Sequence, residues 1–335
     1  MPGKALVVGI DKYIDEGIKS LNFAESDARS IAKLLSRHAD AEESPNFQVA
    51  RLLSSEKPVT RQRLRGAIQE LFANCRGQDV AFYFHGHGKV GNGGAYLVTA
   101  DAVDRDSGIP MQELVGAAAD SQAASVVILL DCCHAGDAGN LAWSKVGVES
   151  GQWSILGENM TIMAASRPQE LAIESAQGGL FTAALVDALK GAAADVFGDI
   201  TSAAVYALVE RRFSLWQQRP GVKSHMTKPL VLRRVTPRLP RPDLRKLVTL
   251  FPTADHLFQM VPDHDPVRDI NEVSLTPEVP DKVATGRLFK RFRDAALVCA
   301  SVPNEDFYYV AQRSHTVELT LFGKEYWHLA SRGLI

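Results

Sequence analysis

The sequence SVVILLDCCHAG, residues 125–136, decides the fold of this chain. Its first half is a continuous apolar run rich in β-branched residues, which is typical of a strand buried on both faces of a parallel sheet. The run DVAFYFH at residues 79–85 has the same character and continues into Gly-His-Gly. Both runs pass directly from core residues to chemically reactive ones. Binding sites of open parallel sheets form beyond the carboxyl ends of the strands, so we expect a site where these two runs end.

Strand-like and helix-like segments alternate along the first 235 residues. The predicted strands are Lys4–Ile10, Phe47–Leu53, Asp79–His85, Ser125–Leu130, Met160–Ala165 and Pro229–Leu232. The predicted helices are Ala24–His38, a segment that follows a cap at Thr60, Met111–Ala119, Gly179–Lys190 and Thr201–Trp216. Alternation of this kind predicts an α/β sandwich with a mostly parallel central sheet.

A chain of 335 residues is long enough for about two domains. The Pro- and Arg-rich segment 236–243 predicts a linker between a domain at residues 1–235 and a small α+β domain at residues 244–335. The elements predicted for the small domain are a helix at Thr285–Ser301, strands at Phe307–Gln312 and Thr316–Leu321, and a helix at Gly323–Ser331. This order is loosely similar to a winged helix, which can bind protein as easily as DNA.

The composition excludes several classes of protein. Hydrophobic residues make up 46% of the chain and charged residues 23%, as in ordinary globular proteins and unlike disordered chains. The net charge of −2 argues against a dedicated nucleic-acid binder. No apolar run approaches the roughly 18 residues that a membrane span needs. The N-terminal apolar run is too short for the core of a signal peptide, which predicts a cytoplasmic location.

The cysteines suggest chemistry rather than disulfide bonds. Four are too few for a disulfide scaffold, and the adjacent pair Cys132–Cys133 directly follows a buried run. A thiol and an imidazole at neighbouring strand ends can perform nucleophilic catalysis, because the histidine activates the thiol and then protonates the leaving amine. Two alternatives remain. Cysteines can fill the core, as we expect of Cys75 and Cys299. A His/Cys cluster can bind zinc, but the chain lacks CxxC and HExxH motifs, so we predict no metal and no cofactor.

The two motifs resemble the caspase-like cysteine protease superfamily, in particular its metacaspase and bacterial caspase-homologue branch. That branch has Gly-His-Gly after one strand and Asp-x-Cys-His-x-Gly after the next, here residues 86–88 and 131–136. The spacing from His87 to Cys133 is close to the roughly 50 residues typical of caspases. Four further segments agree with the family in order: LVVGIDKY, LNFAESDARSIAKLL, MAASRPQELAIE and GGLFTAALVDAL. The resemblance covers about residues 3–233 and implies a three-layer α/β/α sandwich.

The resemblance implies a role for each matching residue. His87 matches the catalytic histidine and Cys133 the nucleophile. The backbone N–H groups of Cys133 and Gly88 match the donors that bind the oxyanion. Cys132 stands where the family often has Ser, so the sequence favours Cys133 without excluding its neighbour. No third member of the catalytic group is evident, and the implied machinery is a Cys133/His87 dyad.

Charge predicts the specificity of such an enzyme. Metacaspase-like members carry acidic residues in the pocket for the side chain before the scissile bond, and Asp27 and Asp131 match these positions. At an effective dielectric near 20, one charge pair at about 4 Å is worth roughly 4 kcal/mol before desolvation. We therefore predict cleavage after Arg or Lys rather than Asp. Ser166 is expected to line the same pocket by analogy. The alternative is that Asp27 lies on a helix face and makes a surface ion pair, and that Asp131 caps the turn that follows it.

Regulation is less visible in the sequence. The polar loop at residues 137–159 contains one basic residue, Lys145, as a candidate autocleavage site. Metacaspases often respond to calcium, but the chain has no calcium-loop motif. The expected partners are protein substrates and a regulatory protein at the C-terminal domain, with no membrane and no nucleic acid. The resemblance implies a bacterial stress, antiviral or cell-death circuit. The alternative function is a catalytically silent caspase-fold adaptor that acts through the C-terminal domain.

Overall fold

The computed structural model describes residues 2–91, 94–103, 108–132, 156–165, 174–175, 178–213, 220–267 and 278–335. The chain divides into two compact units, Met1–Thr236 and Pro237–Ile335. No helix in these described ranges is long and apolar enough to cross a membrane.

The first unit contains the alternating elements that the sequence predicts. Its strands are β1 (Gly3–Gly9), β2 (Phe47–Leu53), β3 (Asp79–His85), β4 (Gly88–Gly91), β5 (Gly94–Leu97), β6 (Ile109–Pro110), β7 (Ser125–Asp131), β8 (Met160–Ala164), β9 (Glu174–Ser175), β10 (Gly178–Gly179), β11 (Asp199–Thr201), β12 (Gly221–His225) and β13 (Val231–Arg234). Its helices are α1 (Ala24–Ser36), α2 (Arg61–Phe72), α3 (Met111–Ala119), α4 (Leu180–Asp187), a π-helical turn (Ala188–Ala192) and α5 (Ser202–Phe213).

Among the described residues, six strands form the central sheet in the order β12-β8-β7-β3-β1-β2. All neighbours are parallel except β12, which runs antiparallel to β8 at one edge. One face of the sheet packs on α2 and α3, and the other packs on α1, α4 and α5. The chain therefore has the predicted three-layer α/β/α architecture, and the mostly parallel sheet is confirmed.

The central strands are apolar on both faces because helices cover both sides of the sheet. Even-numbered residues of β3 and β7, such as Phe82 and Ile128, belong to the core on the α2–α3 side. Odd-numbered residues, such as Tyr83 and Leu129, belong to the core on the α1–α4–α5 side. This alternation decides which face each residue at the strand ends continues.

Local signals account for several helix boundaries. The side chain of Thr60 accepts a hydrogen bond from the backbone N–H of Arg63, so it caps α2 as predicted. At α1 the capping group is remote in sequence: the carboxylate of Asp11 accepts the N–H groups of Ala24 at 2.8 Å and Glu25 at 3.4 Å. A carboxylate at this position also interacts favourably with the helix dipole. The loop after β1 is thereby tied to the start of α1.

The second unit is α+β. Its helices are α6 (Arg241–Leu250), a 3₁₀ turn (Pro262–His264), α7 (Val279–Asp294), α8 (Phe307–Gln312) and α9 (Leu321–Ser331). Its strands are β14 (Phe258–Gln259), β15 (Val298–Ala300) and β16 (Thr316–Leu319), arranged antiparallel in the order β14-β16-β15. Helix α6 begins inside the segment predicted as a linker. A helix lies between β15 and β16 along the chain, and the winged-helix similarity stays a prediction.

Two assignments in the second unit were wrong. Phe307–Gln312, predicted as a strand from its aromatic and β-branched residues, is helix α8. Asp306 caps it by accepting the N–H of Tyr308, and Phe307, Val310 and Ala311 lie on one buried helical face. The helix predicted at Thr285–Ser301 begins earlier and ends at Asp294, because Ala296 adopts a positive φ of 60° and strand β15 follows.

Gly9, the last residue of β1, lets α1 pack closely against the strand end. A Cβ at this position would lie 2.5 Å from the carbonyl oxygen of Ala24 and 2.8 Å from the Cβ of Ala28. We expect Gly9→Ala to cost about 1–3 kcal/mol of unfolding free energy, as overpacked core positions do. Denaturant unfolding measures this change.

Gly66→Ala in α2 is the matched control, since nothing lies within 4 Å of the Cβ that it adds. We expect this substitution to be neutral or stabilising by up to about 1 kcal/mol, because alanine favours a helix over glycine. Equal stability of the two variants would contradict the close packing of α1 on β1.

Candidate active site

The carboxyl ends of β3 and β7 lie side by side. The two strands pair in parallel with His85 opposite Asp131, and β1 pairs with β3 with Gly9 opposite His85. The segments that leave these strands are therefore neighbours at one edge of the sheet. Gly86, His87 and Gly88 follow β3 there, and the cysteine pair follows β7. Cys133 itself lies outside the described residues, as do Ser166 and Lys145.

The ring of His87 is held from two directions. Its Nε2 lies 2.6 Å from the backbone carbonyl oxygen of Lys19, and its ring centroid lies 5.1 Å from that of Tyr13. The hydroxyl of Tyr13 also accepts the backbone N–H of His87 at 2.8 Å. A carbonyl oxygen can only accept, so Nε2 carries the proton and Nδ1 of the neutral ring is a proton acceptor. The half-buried His87 is thereby set up as a base.

Lys19 and Tyr13 belong to the loop between β1 and α1, and backbone hydrogen bonds fix this loop. The N–H of Leu21 bonds to the carbonyl of Asp11 at 2.9 Å, and the N–H of Ile14 bonds to the carbonyl of Ala100 at 2.7 Å. Burial raises the pKa of Asp11, although its hydrogen bonds from the start of α1 oppose the rise. Sequence reasoning missed the Lys19 carbonyl, because a backbone group has no residue signature.

Gly88 begins a small sheet that sequence reasoning also missed. Strand β4 pairs with β5 from Gly88 opposite Leu97, and β5 pairs with β6. The N–H of Val98 bonds to the carbonyl of His87 at 2.9 Å. The backbone on both sides of His87 is therefore anchored, by Tyr13 on one side and by β5 on the other.

A second group of polar side chains lies on the α1–α4–α5 face of the same strand ends. His85 Nδ1 lies 3.2 Å from Asp27 Oδ2 and 3.9 Å from Asp131 Oδ2. The side chains of His85 and Asp131 are 5% exposed and that of Asp27 is 17% exposed. We call these three residues the acid–histidine cluster. It brings together both predicted pocket residues and adds a histidine to them that the sequence analysis treated as a mere neighbour of His87.

The segment that leads into α4 covers this cluster. The N–H of Gly179 donates to Asp27 Oδ2 at 3.3 Å, and the N–H of Thr182 donates to Asp131 Oδ2 at 3.2 Å. A Cβ on Gly179 would lie 2.5 Å from Asp131 Oδ2, so this position accommodates only glycine. Asp131 thus caps the first turn of α4 while it also lies beside His85.

A chain of hydroxyl groups supports Asp131 from within the core. The hydroxyl of Thr182, which is fully buried, donates to Asp131 Oδ2 at 2.6 Å and lies 2.6 Å from the hydroxyl of Tyr83. Burial and the charge of Asp131 raise the pKa of Tyr83 well above its usual value, so the phenol stays protonated and donates to Thr182. Buried carboxylates require such partners because an unsatisfied charge is costly.

Glu25 is a further buried carboxylate that the sequence did not single out. It accepts hydrogen bonds from the side chains of Ser54 and Ser55 and from the N–H of Ser55. Burial would raise its pKa, but these bonds and the charge of Arg29 outweigh it and lower the pKa below the usual value. Glu25 anchors α1 to the end of β2 and thereby helps to fix Asp27 one half-turn further on.

The acid–histidine cluster also has the composition of a metal site, with three ligand atoms within 4.8 Å of one another. The internal hydrogen bonds argue for a different role. Asp131 Oδ2 already accepts two bonds from Thr182, and Asp27 Oδ2 accepts one from Gly179. Because protein donors already occupy these carboxylate oxygens, we interpret the three residues as an ion-paired cluster.

The described cysteines divide by environment. Cys132 is 2% exposed and belongs, with Leu130, to the core on the α2–α3 side. Cys75 is buried in the same core, and its thiol lies 3.1 Å from the carbonyl of Phe72. Cys299 is half-buried in the second unit, where burial raises the pKa of its thiol.

Comparison with known proteins places this site in a family. A family model described as "Caspase domain" matches residues 2–231. Caspase-1 from Spodoptera frugiperda superposes with a TM-score of 0.51 at 14% identity, covering 69% of this chain and 92% of that one. A protein from Geobacter sulfurreducens superposes with a TM-score of 0.49 at 18% identity, covering 71% and 98%. No curated protein matches the sequence. At these identities the structural likeness concerns the fold.

The hydroxyl chain provides a test of the buried carboxylate. We expect Thr182→Val to lower the unfolding free energy by about 1.5–3 kcal/mol, because a nearly isosteric change removes a hydrogen bond to a buried charge. Thr182→Ser keeps the hydroxyl and is the matched control, with a smaller loss from the missing methyl group. Urea unfolding of both variants measures the difference. A valine variant as stable as the serine variant would contradict the bond to Asp131.

Proposed function

This chain belongs to the caspase domain family, and we propose that it is a cysteine endopeptidase that cleaves after Arg or Lys through Cys133 and His87. The family fold brings the segments that carry both residues to one edge of the sheet. The observation that carries the proposal is the position of His87, two residues beyond the end of β3, with its Nε2 hydrogen-bonded to the Lys19 carbonyl. A histidine held in this way has a defined tautomer and a ring nitrogen ready to accept a proton.

The proposed reaction follows from this tautomer. Nδ1 of His87 takes the proton of the Cys133 thiol, and the thiolate attacks the carbonyl carbon of the scissile bond. The imidazolium then protonates the leaving amine, and an acyl-enzyme remains. Water attacks the thioester as His87 again accepts a proton, which releases the acid product and restores the thiol. The Lys19 carbonyl stabilises the imidazolium in both halves of the reaction by accepting a hydrogen bond from its Nε2–H.

Cys133 is the proposed nucleophile rather than Cys132. The thiol of Cys132 is buried in the core on the α2–α3 side, where no substrate carbonyl can reach it. Backbone N–H groups of Gly88 and Cys133 are the proposed oxyanion donors. Anchoring of the Gly88 segment by the small sheet supports this role, because preorganised donors stabilise developing charge without reorganising.

The proposed specificity rests on Asp27 and Asp131. Their proximity in the acid–histidine cluster supports a pocket that attracts a cationic side chain, with Asp27 as its more accessible carboxylate. Ser166 is proposed to line the same pocket, and Lys145 is proposed as an autocleavage site. Calcium activation remains a proposal without a described site.

The proposal gives the second unit a regulatory role, as a docking site for a protein partner. Large apolar side chains are exposed there, including Tyr309, Leu321 and Phe322, which supports contact with another protein. The whole enzyme would then act in a bacterial stress, antiviral or cell-death circuit, with protein substrates.

Fluorogenic peptides that end in Arg, Lys or Asp test the central proposal. We expect the wild-type protein to cleave after Arg and Lys, and Cys133→Ala and His87→Ala to lose at least about 1,000-fold in kcat/KM, as loss of a nucleophile or base does. Cys132→Ala is the matched control and retains most of the activity.

Three outcomes would contradict this assignment. Activity that survives Cys133→Ala would refute Cys133 as the nucleophile. A preference for Asp would refute the acidic pocket. A wild-type protein that is silent on every peptide and on protein substrates would favour the catalytically silent adaptor.

The contact of Tyr13 with His87 gives a finer prediction. Tyr13→Phe removes the hydroxyl that accepts the His87 N–H but keeps the ring beside the imidazole. We expect kcat to fall about 2- to 10-fold, which corresponds to one neutral hydrogen bond of about 0.5–1.5 kcal/mol. Steady-state kinetics measures the change, with Tyr206→Phe on α5 as the control that leaves kcat unaltered. A variant with wild-type kcat would exclude this positioning role.

A further inference from the structure

We infer that His85 is a specificity-determining residue, which acts as an internal cation between Asp27 and Asp131 and weakens the attraction of that pair for a cationic substrate side chain. The inference rests on the proposed function, because it concerns the pocket of the same enzyme. It assigns a role to the first histidine of the His-Gly-His-Gly sequence, which catalysis does not use.

The position of His85 between the carboxylates follows from three elements. Strand β3 carries the histidine, α1 carries Asp27, and β7 carries Asp131 directly opposite in register. Nδ1 lies within 4 Å of both carboxylates. The ring is packed on its remaining side, since a Cβ on Gly179 would lie 3.3 Å from Cε1. His85 therefore contacts both acids, and the three groups form one compact cluster.

Charge gives this position its consequence. Two carboxylates within 4 Å favour the imidazolium form of a histidine, so the cluster then carries a net charge of −1 rather than −2. Among the described residues, Asp11, after β1, and Tyr83, two residues earlier on β3, also interact electrostatically with the cluster. Neither of these two groups supplies a positive charge. A guanidinium that reaches Asp27 is therefore also close to the cation of His85. The cluster attracts the guanidinium less strongly than Asp27 and Asp131 would without His85.

Peptides with Arg or citrulline before the scissile bond isolate this effect. Citrulline has nearly the shape of Arg without its charge, and the ratio of the two kcat/KM values cancels the contribution of the catalytic dyad. We expect His85→Gln, which removes the charge but keeps a polar side chain, to raise the Arg-to-citrulline ratio about tenfold. His38→Gln is the matched control, a half-buried histidine near the other end of α1 whose ring accepts the N–H of Arg234.

The wild-type protein gives the same test without a substitution at a buried position. We expect its Arg-to-citrulline ratio to rise at least threefold between about pH 6 and pH 8.5 and to stay constant in His85→Gln. A ratio that is equal in both proteins at every pH would overturn the inference.

Asp27→Asn separates this inference from the proposed function. We expect it to lower the Arg-to-citrulline ratio. If Asp27→Asn leaves the ratio unchanged, the acidic pocket itself is refuted and the proposed specificity falls. If Asp27→Asn lowers the ratio and His85→Gln leaves it at the wild-type value, the pocket stands and only the role of His85 is refuted.

Discussion

The parallel register of β3 and β7 is the constraint on which the rest of the site depends. His85 is opposite Asp131 at the last paired position, so β3 and β7 end side by side. A shift of one residue would turn every side chain of one strand to the opposite face. Asp131 would then move to the α2–α3 side, away from the donors of Thr182, and Leu130 and Cys132 would move to the core on the opposite face. The donors on one face therefore fix the position of the site.

Alternation along the strands places polar side chains on one face and apolar side chains on the other at the carboxyl end of the sheet. On the α1–α4–α5 side, the polar side chains of Tyr83, His85 and Asp131 lie at the end of the apolar core. On the α2–α3 side, Phe84 and Cys132 continue the apolar packing. Cys132 is buried because it continues the even-numbered face of β7 into this core. The buried carboxylate is stable in this setting because Thr182 and the start of α4 supply donors to it.

The sequence predicted the central fold well because its signals are local and agree with one another. Val126–Leu130 is apolar throughout and Thr60 is a side-chain cap, and both predict structure without tertiary information. Phe307–Gln312 failed because its aromatic residues favour a strand, while the cap at Asp306 and one buried helical face decide for a helix. The boundary at Asp294 failed because a positive φ at Ala296 has no signature in an alanine.

The site shows the same division between side chains and backbone. Reactive residues at strand ends could be located from the sequence, because residue type and the end of an apolar run coincide there. The groups that orient them could not. Lys19 contributes its backbone carbonyl, and Gly179 contributes its N–H and the absence of a Cβ. The residue type therefore reveals the role of neither. The position of His85 could not be predicted for a different reason. The motif contains two histidines, and the family resemblance gives a role only to His87. Only the distances to Asp27 and Asp131 show that His85 belongs to the acid–histidine cluster, whereas His87 contacts Tyr13 and the Lys19 carbonyl.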